Sequence, residues 1–381
     1  MAQSSTSKSS EKSTAPDFTI LCDDIKLSQY NAKKVVELMV ESRLDLPSAF
    51  AITFTDRNLS MIDREKGLLR EGVAVEISLG YDEYQKKILE GMVSTVSAEM
   101  SPNGVYSYVA GFDYLHDLAR GTSYCRYVNS DDGTLEDSLI AEEIIKGAGL
   151  KPVVTQTHIR RTPRTQDNCS DLEFLTKLAQ LNGFWLYAQG EHIHFSDSPP
   201  NRGNIALFWG YELQTFHAKL SLDGLVKTLI VHGRDASLGE NFFLAMERDD
   251  EELKLISKQG LYMLGYSASF IEGGDDAENQ TANRPTTSAD DDDSELPALN
   301  LSDAMVTSMS DADVYLDSVM RDKQTLIKAN GSCAGDPDLL AGVVLEIGGT
   351  GRFDDSYLVT RAVHRYNNSG YTTEFEAMRL E

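Results

Sequence analysis

The sequence has few cysteines and no paired cysteine motif. Four cysteines occur among 381 residues, at positions 22, 125, 169 and 333, and no two of them form a CxxC pair. Isolated cysteines in a chain without a leader are typical of reduced thiols rather than of a disulfide scaffold. We therefore expect cytoplasmic synthesis.

Basic residues are also scarce, and long apolar runs are missing. The chain carries 60 acidic and 35 basic residues, for a formal net charge of −25. Binding to nucleic-acid phosphates needs a cationic face, and an anionic membrane surface would repel this charge. No segment reaches the roughly 18 consecutive apolar residues of a membrane helix. The sequence therefore predicts neither nucleic-acid binding nor direct membrane binding.

The first 16 residues, MAQSSTSKSSEKSTAP, contain no apolar segment. This composition excludes a secretory signal and predicts a disordered tail over residues 1–16. In the chain as a whole, 41% of residues are hydrophobic. That fraction is enough for the cores of two or three globular domains.

Two kinds of periodicity follow the tail. Apolar residues alternate at Phe50, Ile52 and Phe54, which predicts antiparallel strands and a first β domain over 17–115. Helical patterns then predict an inserted α/β domain over 116–203, with capping boxes at Thr134/Asp137 and Ser170/Glu173, a helix stop at Asn182-Gly183, and a hairpin over 184–195.

Strand patterns return after residue 204. Residues 204–245 together with 330–381 predict a second β domain. Between them, residues 246–329 predict a helical insertion that contains a helix starting near Ser310 and Asp313. Residues 272–298 have no periodic apolar signal and predict a mobile acidic loop.

An internal repeat links the two β regions. GVAVEISLG from Gly72 is similar to GVVLEIGGTG from Gly342, and MVSTVSAEMSPNGVYSYV from Met92 is similar to LVTRAVHRYNNSGYTTEF from Leu358. Any two hairpins share some pattern, but the order and spacing favour a duplicated β domain. The predicted fold class is α+β, mainly β, with a duplicated antiparallel β domain and inserted α/β segments.

His192 and His194 are the most suggestive candidates for chemistry. With a two-residue turn at Gln189-Gly190, His192 pairs with Tyr187 and His194 with Trp185. Cross-strand aromatic pairing explains these histidines without a metal. A zinc site would need a further ligand, and no ligand motif lies nearby in the sequence.

Other candidate motifs are weak. Glu142-Glu143 and the run Asp290–Asp293 are best explained as solvated acidic clusters, because the run lacks the ligand spacing of a calcium loop. GGTGRF from Gly348 follows a strand, but no helix opens after it, so it predicts a β-turn. Neither GxSxG nor HExxH occurs. The sequence therefore predicts no catalytic residue, no metal site and no cofactor.

Two blocks resemble the late control gene D family of contractile phage tails. The first is NCSDLEFLTKLAQLNGFWLYAQGEHIHFSD, which is also similar to the first half of VgrG spike proteins. The second is GDPDLLAGVVLEIGGTGRFDDSYLVTRAVHRYNNSGYTTEFEAMR. The closing block is matched at Gly335, Pro337, Gly342, Tyr357, Val359, Thr360, His364, Tyr371, Thr372 and Thr373.

The resemblance implies a structural protein and not an enzyme. Members are similar to the baseplate hub, a homotrimer with two tube-like barrels per chain that joins a hexameric inner tube to a trimeric spike. The chain ends after the closing block, so the spike is expected to be a separate protein. Implied partners are the inner tube, the spike and other baseplate proteins, within a phage tail or phage-tail-like particle. The alternatives are a tail-associated cell-wall hydrolase and a metal-binding adaptor.

Overall fold

The computed structural model describes residues 15–44, 46–81, 84–128, 135–157, 160–161, 163–220, 228–235, 239–248, 255–263, 298–303, 305–324 and 327–380. The predicted tail 1–16 and loop 272–298 lie outside the described residues, apart from residues 15, 16 and 298. The fold is α+β and mainly β, as the sequence predicts.

The described residues form 24 strands, four α-helices and one 3-10 helix. The strands of the N-terminal part are β1 (Pro16–Cys22), β2 (Ile25–Lys26), β3 (Val35–Arg43), β4 (Ala49–Thr55), β5 (Ala74–Tyr81), β6 (Tyr84–Ser101), β7 (Gly104–Asp113), β8 (Ser123–Tyr127), β9 (Leu135–Glu136), β10 (Lys151–Val154), β11 (Arg160–Arg161) and β12 (Arg164–Cys169). They are followed by β13 (Trp185–Gln189), β14 (His192–Ser196), β15 (Asn204–Phe208), β16 (Leu213–Leu220), β17 (Thr228–Arg234), β18 (Asn241–Arg248), β19 (Leu255–Met263), β20 (Ala298–Ser302), β21 (Ile327–Ala334), β22 (Val344–Gly348), β23 (Asp355–Asn367) and β24 (Gly370–Arg379). The helices are α1 (Gln29–Ala32), the 3-10 helix Tyr114–Ala119, α2 (Asp137–Gly147), α3 (Asp171–Asn182) and α4 (Met309–Gln324).

The main sheet is an open array of 13 strands. Its order is β16-β21-β24-β23-β3-β4-β7-β6-β5-β1-β2, with β22 pairing with both β15 and β23. The two predicted barrels are therefore two halves of one sheet and are not separately closed in the described residues. The cause is the 13-residue strand β23, which is long enough to pair with β22 at its start and with β3 at its end.

Five strands of each half repeat the same order and direction, and each half adds a sixth strand, β1 antiparallel to β5 in one and β15 parallel to β22 in the other. The first half-sheet is β3-β4-β7-β6-β5-β1, and the second half-sheet is β16-β21-β24-β23-β22-β15. This order confirms the internal repeat, because the segments from Gly72 and Gly342 enter β5 and β22, and those from Met92 and Leu358 enter β6 and β23. The register shifts also fall at equivalent places, between Val93/Thr95 in β6 and Val359/Arg361 in β23, and between Val35/Glu37 in β3 and Leu213/Thr215 in β16.

A single hydrophobic core extends behind both halves. Alternate residues of each strand point into it, as expected for strands with one buried face. Phe50, Ile52 and Phe54 of β4 are at most 1% exposed, as the alternation predicts. Residues of the second half-sheet, such as Leu345 and Tyr357, belong to the same core cluster. This shared core holds the halves together as one unit.

The inserted α/β unit has its own core. Helices α2 and α3 pack with β10, β14 and β13, and the cluster includes Ile140, Phe174, Ile193 and Phe195. The predicted capping box is present on α3: Ser170 Oγ accepts from Glu173 N, and Glu173 Oε2 accepts from Ser170 N. The helix ends at Gly183, whose φ of 65° lies in the left-handed region. The other predicted box cannot be followed, because Thr134 lies outside the described residues.

The region 246–329 contains strands as well as a helix. β19 and β20 pair with β18 and β17 in a separate four-stranded sheet, on which α4 packs. β17 and most of β18, placed by the sequence in the second β domain, therefore belong to this sheet, and the charged segment near 255–263 is a strand where a helical segment was expected. Long-range pairing overrides local propensity there. α4 also begins earlier than predicted, because Ser308 Oγ accepts from Asp311 N.

A buried ion cluster joins this sheet's helix to the inserted unit. Arg164 Nε lies 3.1 Å from Asp137 Oδ1, and its Nη2 lies 3.7 Å from Asp311 Oδ1. All three side chains are at most 2% exposed. Arg164 also donates to the carbonyl of Met305.

Of the helices in the described residues, none is long and apolar enough to cross a membrane.

Candidate assembly interface

The histidine hairpin forms with a different register from the predicted one. Its turn is Gly190-Glu191, so His194 pairs with Tyr187 and His192 with Gln189. The predicted partners Tyr187 for His192 and Trp185 for His194 are wrong, because Gly190, with φ 58°, occupies the first turn position instead of the second. A shift of two residues keeps every side chain on its predicted face. Leu186, Ile193 and Phe195 accordingly pack in the core with α3.

The two histidines lie in different surroundings. The His194 ring stacks on Tyr187 with 4.6 Å between centroids and 9° between planes. Burial, then the nearby His192 and Arg202, lower the pKa of His194. His192 is exposed and pairs with Lys151 of β10, a parallel neighbour that the sequence did not reveal. Among the described residues there is no group of three or more His, Cys, Asp or Glu side chains that could hold a metal.

The other sequence candidates are local structural features. Glu142 forms an exposed i,i+4 ion pair with Lys146, and Asp290–Asp293 lies outside the described residues. In the Gly-rich turn after β22, Asp354 Oδ1 accepts from Thr350 N at 2.6 Å and from Thr350 Oγ1 at 2.8 Å. These bonds lower the pKa of Asp354. A carboxylate of the chain itself therefore occupies the donors that a phosphate would use.

The closing block forms a buried polar cluster. His364 Nδ1 lies 2.8 Å from Tyr371 Oη and 3.2 Å from Thr373 Oγ1. Full burial lowers the pKa of His364 to about 4. Gly335 lies against the Tyr371 ring, where a Cβ would come within 2.1 Å of the ring carbons. These residues hold β23, β24 and the loop after β21 together, so this part of the closing block has a packing role.

A cavity of about 370 Å³ separates the first half-sheet from the histidine hairpin. Asp113 and Arg202 are among the residues that line it. Asp113 accepts hydrogen bonds from Ser48 N at 2.8 Å and from Leu115 N at 3.1 Å. Burial raises the pKa of Asp113 to about 6, against the lowering effect of these bonds. The Asp113 carboxylate therefore links the backbone at Ser48 to the backbone at Leu115.

The two half-sheets meet along one strand pair, β23 with β3. β23 pairs antiparallel with β3 from Arg361 opposite Arg43 to Asn367 opposite Glu37. Arg361 donates to Glu41 Oε1 and to Glu376 Oε1, each at 2.7 Å. The hydrogen bond from Arg361 lowers the pKa of Glu41. We call this contact the internal junction.

Two strand edges of the main sheet have no partner strand in the described residues. One is the second half of β6, residues 94–101, which pairs only with β7. The other is the outer edge of β16, which pairs only with β21 along residues 215–220. Exposed apolar side chains lie on both, including Met100 at 69% exposure and Leu220 at 39%. Unpaired edges with apolar side chains are typical of surfaces that bind another chain.

The fold is shared with solved tail and secretion proteins. The 43 kDa tail protein of prophage MuSo2 from Shewanella oneidensis has a TM-score of 0.63 and 12% identity, over 96% of this chain and 98% of that one. A tail protein from Neisseria meningitidis MC58 has a TM-score of 0.61 and 9% identity, over 96% of both chains. The E. coli c3393 protein, described as a type VI secretion component structurally similar to T4 tail proteins gp27 and gp5, has a TM-score of 0.50 and 14% identity, over 91% of this chain and 74% of that one.

The sequence itself assigns the chain to a family. The family described as the Alg8 N-terminal domain matches residues 12–242, which is more than half of the 381 residues. The chain belongs to this family. No curated protein matches it significantly. The late control gene D family suggested by the two sequence blocks is not the family that matches.

Proposed function

We propose that this protein is a structural baseplate hub of a contractile injection system. It is a homotrimer that adapts a hexameric inner tube to a trimeric spike. The observation that carries the proposal is the internal repeat, in which one chain presents two half-sheets with the same strand order. Three copies then present six similar units to a sixfold tube while keeping threefold symmetry for the spike.

The similar structures support this role. They are phage tail proteins and a type VI secretion component, and that component is described as similar to T4 tail proteins. The site geometry supports a non-enzymatic role, because His194 stacks on Tyr187, Glu142 pairs with Lys146, and Asp354 accepts the donors of the Gly-rich turn. The proposed partners are the inner tube, the spike and other baseplate proteins, met after cytoplasmic synthesis.

The test is the mass of the purified full chain by light scattering at micromolar concentration, followed by binding to the inner tube protein of the same injection system. We expect a trimer that binds the tube. A monomer that ignores the tube would contradict the proposal. A cell-wall turbidity assay separates the hydrolase class, since a hub leaves the turbidity unchanged.

A further inference from the structure

We infer that the free edge of β6, residues 94–101, pairs antiparallel with β16 of a second copy of this chain. The inference rests on the proposed hub function for the number of copies in a ring. The pairing itself follows from the internal repeat, because β6 and β16 are the counterparts of β23 and β3, which already pair within the chain.

The repeat defines the register of this contact. Both hairpins close with two-residue turns, between Ser101 and Gly104 in one half and between Asn367 and Gly370 in the other. When the two hairpins are aligned at these turns, the β-bulge at Val93/Thr95 falls at the same position as the β-bulge at Val359/Arg361. β16 and β3 align through their own bulges in the same way.

Applying the register of the internal junction to β6 of one copy and β16 of the next gives specific residue pairs between copies. On the core side of the junction, Ala362, His364 and Tyr366 lie opposite Ser42, Val40 and Leu38. Their counterparts place Val96 opposite Leu220, Ala98 opposite Ala218, and Met100 opposite Phe216.

All six of these side chains are apolar. Val96, Phe216 and Ala218 already pack against the rim of the main core. Ala98, Met100 and Leu220 are exposed within one copy. Pairing would therefore continue the buried face of the sheet from one copy into the next, and burial of such side chains is favourable.

The other side of the two edges is polar. Ser97 and Glu99 of β6 would lie opposite Lys219 and His217 of β16, and all four are exposed within one copy. This places Glu99 near two cationic or titratable side chains rather than near another carboxylate. The alternation of apolar and polar residues on both edges matches a sheet with one buried face.

A second copy is the occupant because each copy carries both complementary edges. Within one chain, the six strands β21, β24, β23, β3, β4 and β7 lie between β16 and β6 in the sheet order. The contact is therefore head-to-tail, and its repetition closes a ring or extends a chain of copies.

Disulfide trapping tests the register. Ser97→Cys with Lys219→Cys places cysteines directly opposite each other in the proposed pairing. The matched control combines Ser97→Cys with Thr215→Cys, which is also exposed but lies four residues out of register, about 13 Å along the strand. Cysteines that far apart do not bridge. Single variants report any reaction with the native cysteines.

We expect non-reducing gels to show covalent dimers and trimers for the matched pair and only monomer for the control. Light scattering on the wild type separates the two proposals. A trimer without cross-links, or with cross-links in the control alone, overturns the pairing and leaves the trimeric hub standing. Cross-linked chains longer than three support the pairing and contradict the trimer. A wild-type monomer without cross-links overturns both.

A second variant checks the apolar stripe. Ala98→Glu puts a charge on the proposed buried side but at a position exposed within one copy. We expect loss of the oligomer, at least tenfold weaker association, and an unchanged unfolding midpoint of the dissociated chain. Ala206→Glu is the matched control, because Ala206 is exposed on β15, outside both edges. Oligomers that survive Ala98→Glu would contradict the inference.

Discussion

At the residue scale, His364 is the histidine of the main sheet whose pKa is lowered most. It is fully buried between β23, β24 and the loop before β22, with Tyr371 and Thr373 as hydrogen-bond partners. Neutral histidine suits this site, and the pKa of about 4 follows from burial. The residue that the sequence marks as part of a family block is therefore a core residue.

This burial predicts a pH dependence of stability. The folded pKa of His364 is about 4, below the ordinary value of 6.5, so the unfolded chain takes up a proton first as the pH falls. The contribution to the free energy of unfolding, up to roughly 3 kcal/mol, is present above pH 6.5 and is lost toward pH 4. Urea unfolding of the wild type and of His364→Gln measures it.

The difference between the two proteins isolates His364. Asp113, whose pKa is raised to about 6, contributes with the opposite sign over an overlapping range, and it is present in both proteins. We expect the stability advantage of the wild type to shrink as the pH falls from 6.5 to 4. An advantage that stays constant with pH would contradict the assignment.

Arg164 carries a second prediction. Its replacement by Met would remove the cation that contacts both buried carboxylates, Asp137 and Asp311. Breaking a buried ion pair in this way costs about 3–5 kcal/mol of unfolding free energy. The matched control is Arg120→Met, because the pair of Arg120 with Asp117 is exposed and contributes little. Equal effects of both substitutions in urea unfolding would argue against the cluster's role.

At the element scale, α3 shows how far local sequence rules reach. Its capping box, apolar face and glycine stop were all predicted from the sequence and are present. Each depends only on residues within four positions of one another, so no long-range information is needed. The hairpin that follows shows the limit, because the sequence allows its turn at Gln189-Gly190 or at Gly190-Glu191, and only the structure shows that the second is used.

Two glycines test the helix ends. Gly183→Ala forces a side chain into a left-handed backbone with φ 65°, and we expect a loss of about 1 kcal/mol in unfolding free energy. Gly147 lies at the last position of α2, its φ is not positive, and a Cβ there meets nothing within 4 Å. Gly147→Ala should therefore be neutral or stabilise by a few tenths of a kcal/mol. The order of the two variants in thermal unfolding would reverse if the backbone assignment were wrong.

At the scale of the whole molecule, charge opposes association. Each copy carries a formal net charge of −25, so copies repel one another at low ionic strength. Apolar strand pairing is less sensitive to salt, and screening shortens the range of the repulsion. We expect the trimer fraction to rise between about 20 and 300 mM NaCl in sedimentation experiments. Dissociation by salt would instead indicate that ion pairs hold the copies together.

The sequence by itself determined the class of fold, the internal repeat and α3 with its caps, because alternation and helix signals come from neighbouring residues. Only the tertiary structure decided that the two halves share one sheet, that β17, β18 and β19 enter a separate one, and that Arg164 contacts two distant aspartates. Strand pairing and buried ion pairs join residues far apart in the chain. Their choice depends on which surfaces the whole fold brings together, and no local pattern encodes it.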